Sequence, residues 1–514
     1  MLGLEELLGL FVAAVILAAA ARRIGAPYPV FLAVGGAILA LLPIHTSFTL
    51  PPELALALFV APVLLDAAYD TSLRDLRDNW VPVTGLVIFA VGLTTAAVAI
   101  VTRAIVPAMP WAPAIALGAI VAPPDAVAAT TVLRALRPPQ RLLTILEGES
   151  LLNDASALLI YRVAVGAVAA NSFSLSNVAP TFLLAVAGSA IVGPALGWVT
   201  LQVMDRVQHI PTSIILQFVT TFGVWLLAER LGLSAVLTMV CYAVMVSQTS
   251  PARTPARIRI PTYAVWETVV FALNVLAFVF IGLQIRPILD ALDPGVRGRY
   301  FVVSGVVMVT VIVVRFGWHM SFNAVIRWRD RRFGFHPPRP MLRPTVGSGL
   351  VISWAGMRGI VTLAAALALP HAFPFRDLIV LTAFSVVVGT LVIQGLTLKP
   401  LLRALKLQDN DPVGHEVRIA RTRALRAGLA SLDGDESSVA NLVRQEFASH
   451  LDGEAETGEE DGTPPAHGEL HKRALQAARQ EVIAMRANDE IGDTAFHQIE
   501  EDLDWLEMAG RESR

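Results

Sequence analysis

Two aspartates stand in surroundings that should not hold a charge. Asp125 lies in the apolar stretch VAPPDAVAATTVL and Asp154 in EGESLLNDASALLIY. An ionisable side chain at bilayer depth costs about 2.5–3.5 kcal/mol on insertion scales, so such a group faces a partner or a wet cavity and is a functional candidate by default. On a helix of 3.6 residues per turn, Ser150 and Asp154 are i, i+4 neighbours, which puts a hydroxyl and a carboxylate on one face. Oxygen ligands of this kind suit a hard cation. The same carboxylate can instead take a proton, so cation and proton compete for one charge.

The neighbours of these residues shape that chemistry. Pro123 and Pro124 remove backbone donors in mid-stretch and obstruct regular helix, which predicts a break at Asp125. Discontinuous helices expose backbone carbonyls and half-helix ends to an ion near the membrane midplane. Asp125 can also cap the half-helix that follows it. The remaining deep ionisable groups are Asp66, Glu149, Arg162, Glu267, Arg315 and Arg358. Glu149 falls on a different helical face from Asp154 and needs its own partner. Arg358, in GSGLVISWAGMRGIVTLAA, is the basic group chosen for it, as a structural salt bridge, because an unpaired buried charge is costly. Gly347, Gly349, Gly356 and Gly359 in that run permit close helix crossing and local unwinding. Glu267, Arg162 and Arg315 have no partner that the sequence names.

The elements that position these groups are membrane helices. Of 514 residues, 55% are hydrophobic and 16% charged, against about a quarter charged in soluble domains. A span needs about 20 apolar residues, and thirteen stretches qualify, near 3–20, 28–44, 53–69, 81–106, 112–133, 142–170, 179–204, 212–229, 233–249, 264–285, 301–324, 345–370 and 377–402. With the N-terminus outside, seventeen arginines fall on the inner side, including Arg22, Arg74, Arg137, Arg141, Arg339 and Arg343. Six fall on the outer side, and the loop Asn171–Asn177 carries none. This is the asymmetry of the positive-inside rule. The first stretch begins with Glu5 and Glu6 and is followed by Arg22 and Arg23, so it reads as a helix and not as a cleaved leader. The sole cysteine, Cys241, excludes an internal disulfide.

Residues 1–407 thus form a basic transmembrane domain and 408–514 an acidic, helical, cytoplasmic tail. Lys and Arg number 29 against 18 Asp and Glu up to residue 408, and 11 against 24 beyond it. Helical stretches Glu416–Leu432 and His471–Leu506 flank a polar linker, DGEAETGEEDGTPPAHG. The tail reads first as a solvated amphipathic segment; its carboxylates with His450, His467, His471 and His497 give a secondary reading as a place for a regulatory ligand or protein. The chain lacks HExxH, GxSxG and GxxxxGK[ST], which argues against hydrolase chemistry and nucleotide use. Neither cofactor nor nucleic acid is expected.

At these residues the chain resembles the sodium/proton exchanger branch of the monovalent cation/proton antiporters, shared by bacterial antiporters and animal plasma-membrane exchangers. The matching segments are PVLLDAAYDTSLRDLRDNW, VAPPDAVAATTVL, LEGESLLNDASALLIYRV, WETVVFALNVLAFVFIGLQI, WAGMRGIVTLAAALALP and VGTLVIQGLTLKPLL. The resemblance implies an all-α polytopic fold of thirteen helices with inverted repeats and broken crossing helices, assembled as a homodimer in the plasma membrane. It implies that Asp154 is the principal cation and proton carboxylate, with Asn153 its paired asparagine, Ser150 a hydroxyl ligand, Asp125 the carboxylate of the broken helix and Asp66 an acidic group at the cavity edge. Glu149 and Arg358 match the family's structural ion pair. The Asn-Asp form goes with electroneutral exchange of one Na⁺ or Li⁺ for one H⁺. The chain departs from the commonest pattern at the break, where Pro-Pro-Asp-Ala replaces Thr-Asp-Pro. Exchange of K⁺ is the close alternative, with a channel or sensor on the same fold further off.

Overall fold

The computed structural model describes residues 4–24, 27–42, 51–134, 138–169, 175–334, 345–407, 412–434, 436–452 and 465–512. Every regular element among them is helical. Arg137, Arg339, Arg343, most of the polar linker and the start of the Asn171–Asn177 loop lie outside them, as do the side chains of His450, His467 and His471.

The chain opens with α1 (Leu4–Ile24), α2 (Tyr28–Leu41) and α3 (Pro52–Asp70), followed by the short α4 (Leu73–Asp78) and α5 (Trp80–Thr84). A π-helical turn, Gly85–Ala90, joins α5 to α6 (Val91–Ile105). Two half-helices follow, α7 (Trp111–Val121) and α8 (Ala126–Arg134), and then the long α9 (Gln140–Ala169). After them come α10 (Leu175–Met204), α11 (Ile210–Arg230), α12 (Ala235–Arg253), α13 (Ala256–Leu283), α14 (Ile285–Asp290) and α15 (Pro294–Phe333). A second pair of half-helices, α16 (Val346–Trp354) and α17 (Ile360–Leu367), precedes α18 (Arg376–Leu405).

Local chemistry sets several of these limits. Ser234 Oγ accepts the Leu237 amide at 3.3 Å and starts α12. Asp293 starts α15 by accepting from Gly295 N at 2.8 Å, and Gly334, at φ 64°, ends it in the left-handed conformation that glycine adopts most cheaply. Thr345 and Ser348 form a reciprocal capping box at α16. Eight helical spans among the described residues are long and apolar enough to cross a bilayer alone, and three shorter apolar helices accompany them. Leu184 and Ile191, each 71% exposed, and Val302, 63% exposed, belong to a broad apolar exterior that water would not tolerate but lipid does.

Two main apolar cores lie inside the membrane part. The larger, with Val121, Leu142, Val351, Leu363 and Leu391, joins α2, α6 to α9, α13 and α15 to α18. The smaller, with Val60, Leu64, Trp225 and Met239, joins α3, α11 and α12. At the contact of α2 with α13, a methyl group on Gly36 or Gly282 would strike the partner's backbone, so those glycines allow the helices to touch.

The C-terminal segment differs from the sequence expectation. It folds as α19 (Pro412–Ala430), α20 (Ser438–Asp452), α21 (Pro465–Ala487) and α22 (Asp493–Glu512) around its own core of Leu425, Phe447, Leu475, Val482 and Phe496. The expected stretch His471–Leu506 is two helices, because Asp489 takes φ 59° and turns the chain. Its polar face is also not simply solvated, since α22 packs against α13.

Candidate functional site

The two helix breaks meet. The first, between α7 and α8, contains Pro123 and Pro124; the second, between α16 and α17, contains Ala355 to Gly359. Asp125 N donates to Met357 O at 2.6 Å, tying one break to the other. Asp125 Oδ1 accepts the Val127 amide at 2.9 Å, so the carboxylate caps α8 with one oxygen, as its position allowed. A side chain at Gly359 would collide with the Asp125 carboxylate. Gly359→Ala is therefore expected to displace Asp125 and reduce transport by roughly tenfold or more, because misplacement by about 1 Å is that costly at a preorganised site. Unchanged initial rates in vesicles with equal protein would contradict this.

Arg358 serves the breaks directly. Its Nε donates to Val121 O at 3.0 Å and its Nη2 to Ala122 O at 3.2 Å, while Nη1 reaches Gly356 O. Val121 ends α7, so the guanidinium satisfies carbonyls that have no partner within the helix and places a positive charge at its negative end. Thr390 Oγ1 on α18 accepts the Arg358 amide at 3.1 Å.

The expected Glu149–Arg358 pair is not formed. Glu149 lies instead against Arg315 of α15, whose Nη2 donates to Glu149 Oε2 at 2.8 Å and to Ile352 O at 3.1 Å. Both partners are almost wholly buried. The physical reason is position: the break turns Arg358 toward the end of α7, and α15 presents Arg315 to α9. A signal for this exists in the chain, because Val303, Val307, Val311, Arg315, His319 and Asn323 are buried at i, i+4 spacing. Such a stripe marks an inward face. Of the other two deep groups, Arg162 is exposed and reaches Leu233 O at 3.1 Å, and Glu267 is exposed on α13.

Asp154 lies on α9 opposite the first break. Asn153 Nδ2 points at Pro124 O, 3.4 Å away, and its buried Oδ1 has no hydrogen-bond partner among the described residues. Ser156 Oγ donates to Val87 O in the π-helical turn at 3.0 Å, anchoring α9 on its other side. A cavity of about 260 Å³ opens between α3, α8, α9, α13 and α17, and Asp66, Asp125, Ser150 and Asp154 all line it. Four of the five residues expected at the ion site are thus brought to one space, and Asn153 braces the break beside it. Pro123 and Pro124, expected at the break, also line the cavity, as do Thr131, Glu147 and Asn274, which were not singled out. Asn274 was the most legible, being the one amide in the apolar run VVFALNVLAF. Asp66 also lines a larger neighbouring cavity of about 440 Å³ among α3 and α10 to α13.

The oxygen-bearing side chains that line the cavity are carboxylates, hydroxyls and the Asn274 amide, a set that suits a hard cation. Among the described residues no group of three or more His, Cys, Asp or Glu is placed to hold a resident metal.

Residues 7–404 match the family described as sodium/hydrogen exchanger, transmembrane. An uncharacterized Na⁺/H⁺ exchanger of Mycobacterium tuberculosis is 30% identical over 98% of this chain and 96% of its own. One from Escherichia coli is 27% identical over 94% and 93%. A sodium, potassium, lithium and rubidium/H⁺ antiporter of Bacillus subtilis is 30% identical over 73% of this chain and 58% of its own. The fold resembles that of a sodium proton antiporter from Methanocaldococcus jannaschii, with a TM-score of 0.59 and 17% identity over 77% of this chain and 96% of the other. The chain therefore belongs to the sodium/hydrogen exchanger family, as an integral, multi-pass membrane transporter that exchanges a monovalent cation for protons.

Proposed function

We propose that the cation is Na⁺ or Li⁺, exchanged one for one with H⁺ by alternating access, and that cation and proton compete for Asp154. The observation that carries this is the convergence of Asp154, Asp125, Ser150 and Asp66 on one buried cavity beside two helix breaks. Bare charge among apolar walls is costly, so the site crosses when a cation or a proton neutralises it and stays when empty. Asp154 holds the exchanged ion, Ser150 adds a hydroxyl oxygen, and Asp125 completes the cavity at the end of the broken helix. Asn153, bonded toward Pro124 O, holds the break in register with Asp154. The transmembrane domain is residues 1–407, with thirteen crossings and the N-terminus outside; residues 408–514 lie in the cytoplasm; the protein works as a homodimer in the plasma membrane.

K⁺ is the second reading, favoured by the Bacillus subtilis relative, whose name includes potassium and rubidium. Inside-out vesicles carrying an imposed pH gradient separate the two. Addition of Na⁺ or Li⁺ is expected to collapse the gradient at concentrations where K⁺ does little. Equal responses to all three would favour the broader exchanger, and a response to K⁺ alone would overturn the sodium reading. One-for-one exchange predicts that the rate is insensitive to an imposed membrane potential.

A further inference from the structure

An asparagine in a membrane helix ordinarily bonds to a neighbouring helix, because its amide carries donors and an acceptor that lipid cannot satisfy. Asn274 stands in the apolar run VVFALNVLAF, and its side chain forms no hydrogen bond with a described residue. Other polar side chains of α13 are engaged. Thr262 and Thr268 donate to Ile258 O at 2.7 Å and Ala264 O at 2.8 Å, Trp266 Nε1 donates to Gln217 Oε1 at 2.8 Å, and Tyr263 OH donates to Glu500 Oε2 at 3.3 Å. Asn274 is instead half-buried on the wall of the ion cavity, where Val270, Ala277 and Phe278 complete the same stripe of α13.

That orientation is set on both sides. About two turns before Asn274, Trp266 is bonded to α11 and stacked on Phe218, with ring centroids 4.4 Å apart. About two turns after it, Gly282 lies so close to α2 that a methyl group there would strike Ala33 O. Between them the Phe278 ring meets that of Tyr28 edge-on, at 6.4 Å. Rotation of α13 about its axis would break these contacts, so the amide is held to the cavity.

Two other side chains on the cavity wall, Asp154 of α9 and Thr362 of α17, likewise form no hydrogen bond with a described residue. A threonine can turn its hydroxyl back to a carbonyl of its own helix, as Thr262 and Thr268 do. The Asn274 amide has both a carbonyl and an NH₂ group to satisfy, and its partners are whatever fills the cavity.

We propose that Asn274 is a specificity-determining residue: in the arrangement described here, its carbonyl oxygen joins Asp154 and Ser150 in replacing water around the transported cation. The carboxylates supply charge, which every monovalent cation answers alike. Discrimination comes from the number and dipole strength of the neutral oxygens that stand in for each ion's hydration shell. Among the described residues lining the cavity, Asn274 is the one amide. Removing its oxygen costs most for the ion that needs more ligands, so Na⁺ suffers more than the smaller Li⁺. This rests on the exchange reading above.

The test measures apparent KM for Na⁺ and for Li⁺ by proton flux in proteoliposomes of the full-length protein. Asn274→Leu keeps the side-chain volume and removes both polar atoms. It is expected to raise KM for Na⁺ about fivefold, the effect of one neutral contact of hydrogen-bond strength. The rise for Li⁺ is smaller, so the Na⁺-to-Li⁺ ratio of KM shifts by roughly twofold or more. Asn274→Ser, which keeps an oxygen at shorter reach, shifts the ratio in the same direction by less. Thr268→Val, on the same helix, leaves it unchanged; a shift there too would mark a general loosening of α13 and overturn the proposal. A common rise for both ions in Asn274→Leu, or none, also overturns it, the amide then being held by cavity water alone. Where Asn274→Leu is monodisperse but silent, thermal unfolding at increasing Na⁺ or Li⁺ reads the same two affinities without flux. Where it does not fold, an unmoved ratio in Asn274→Ser overturns the proposal. Wild-type protein without cation-driven flux ends the exchange reading and this assignment with it, whereas wild-type flux with an unmoved ratio in both Asn274 variants ends this assignment alone.

Discussion

Asp154→Asn is expected to abolish cation-driven proton movement, leaving vesicles indistinguishable from those without the protein. The substitution keeps the size of the side chain and removes the one property the proposed mechanism requires, a charge that a proton or a cation can neutralise. Asp154 lines the cavity from a continuous helix whose position is fixed independently, by Asn153 against the first break and by Ser156 against the π-helical turn. The variant should therefore fold normally, and thermal unfolding followed by fluorescence checks that it does. Full activity in Asp154→Asn would sink the assignment. Asp125→Asn makes a sharper companion. Its amide oxygen can still accept the Val127 amide, so the cap on α8 survives while the charge is lost. Loss of flux at unaltered stability is expected there. Asp125→Ala removes the cap as well and should lower stability by a further ~1 kcal/mol.

The second large effect is on stability. Arg315→Gln leaves Glu149 as an uncompensated carboxylate in a buried position, a change that costs about 3–5 kcal/mol when one partner of a buried pair is removed. Glu149→Gln is the milder single change, because the Arg315 guanidinium keeps the Ile352 carbonyl at 3.1 Å. Replacing both, as Glu149→Leu with Arg315→Met, should restore most of the loss, since apolar pairs of similar volume commonly substitute for buried ion pairs. Detergent-solubilised protein monitored by thermal unfolding gives all three values. A double-mutant cycle should show strong coupling between positions 149 and 315 and weaker coupling between 149 and 358. The reverse order would reinstate the pairing read from the sequence.

Much of the architecture was legible because its causes are local. Each apolar stretch read from the chain carries helix among its described residues, two of them as broken halves, and the break at Asp125 followed from two prolines that cannot supply backbone donors. The cavity residues Asp66, Asp125, Ser150 and Asp154 were legible for a related reason: polar groups in apolar runs have few explanations. The ion pair was only faintly legible: the stripe through Arg315 marks an inward face, but it does not rank Arg315 above Arg358 as the partner of Glu149. That choice depends on how the second break aims Arg358, and the answer lies in the carbonyls at the end of α7, far away in sequence. The C-terminal helices illustrate the same limit. Their amphipathic pattern was visible, but a polar face that meets water and one that meets Arg74 and Arg259 have the same composition.

The bonds around the two breaks have a thermodynamic consequence under the proposed mechanism. Asp125 N to Met357 O and Arg358 to the end of α7 run between α7 to α9 and α16 to α17, Asn153 to Pro124 O ties α9 to the first break, and none of the three reaches across to α3. Against α3 that group presents the apolar Ile360 and Val361, packed on the cluster that holds Val60 and Leu64. A cage braced from within keeps its shape while the surface around it slides. A site whose geometry is kept through the movement is expected to bind with similar affinity at both ends of the journey, and exchange runs forward or backward according to which gradient is steeper.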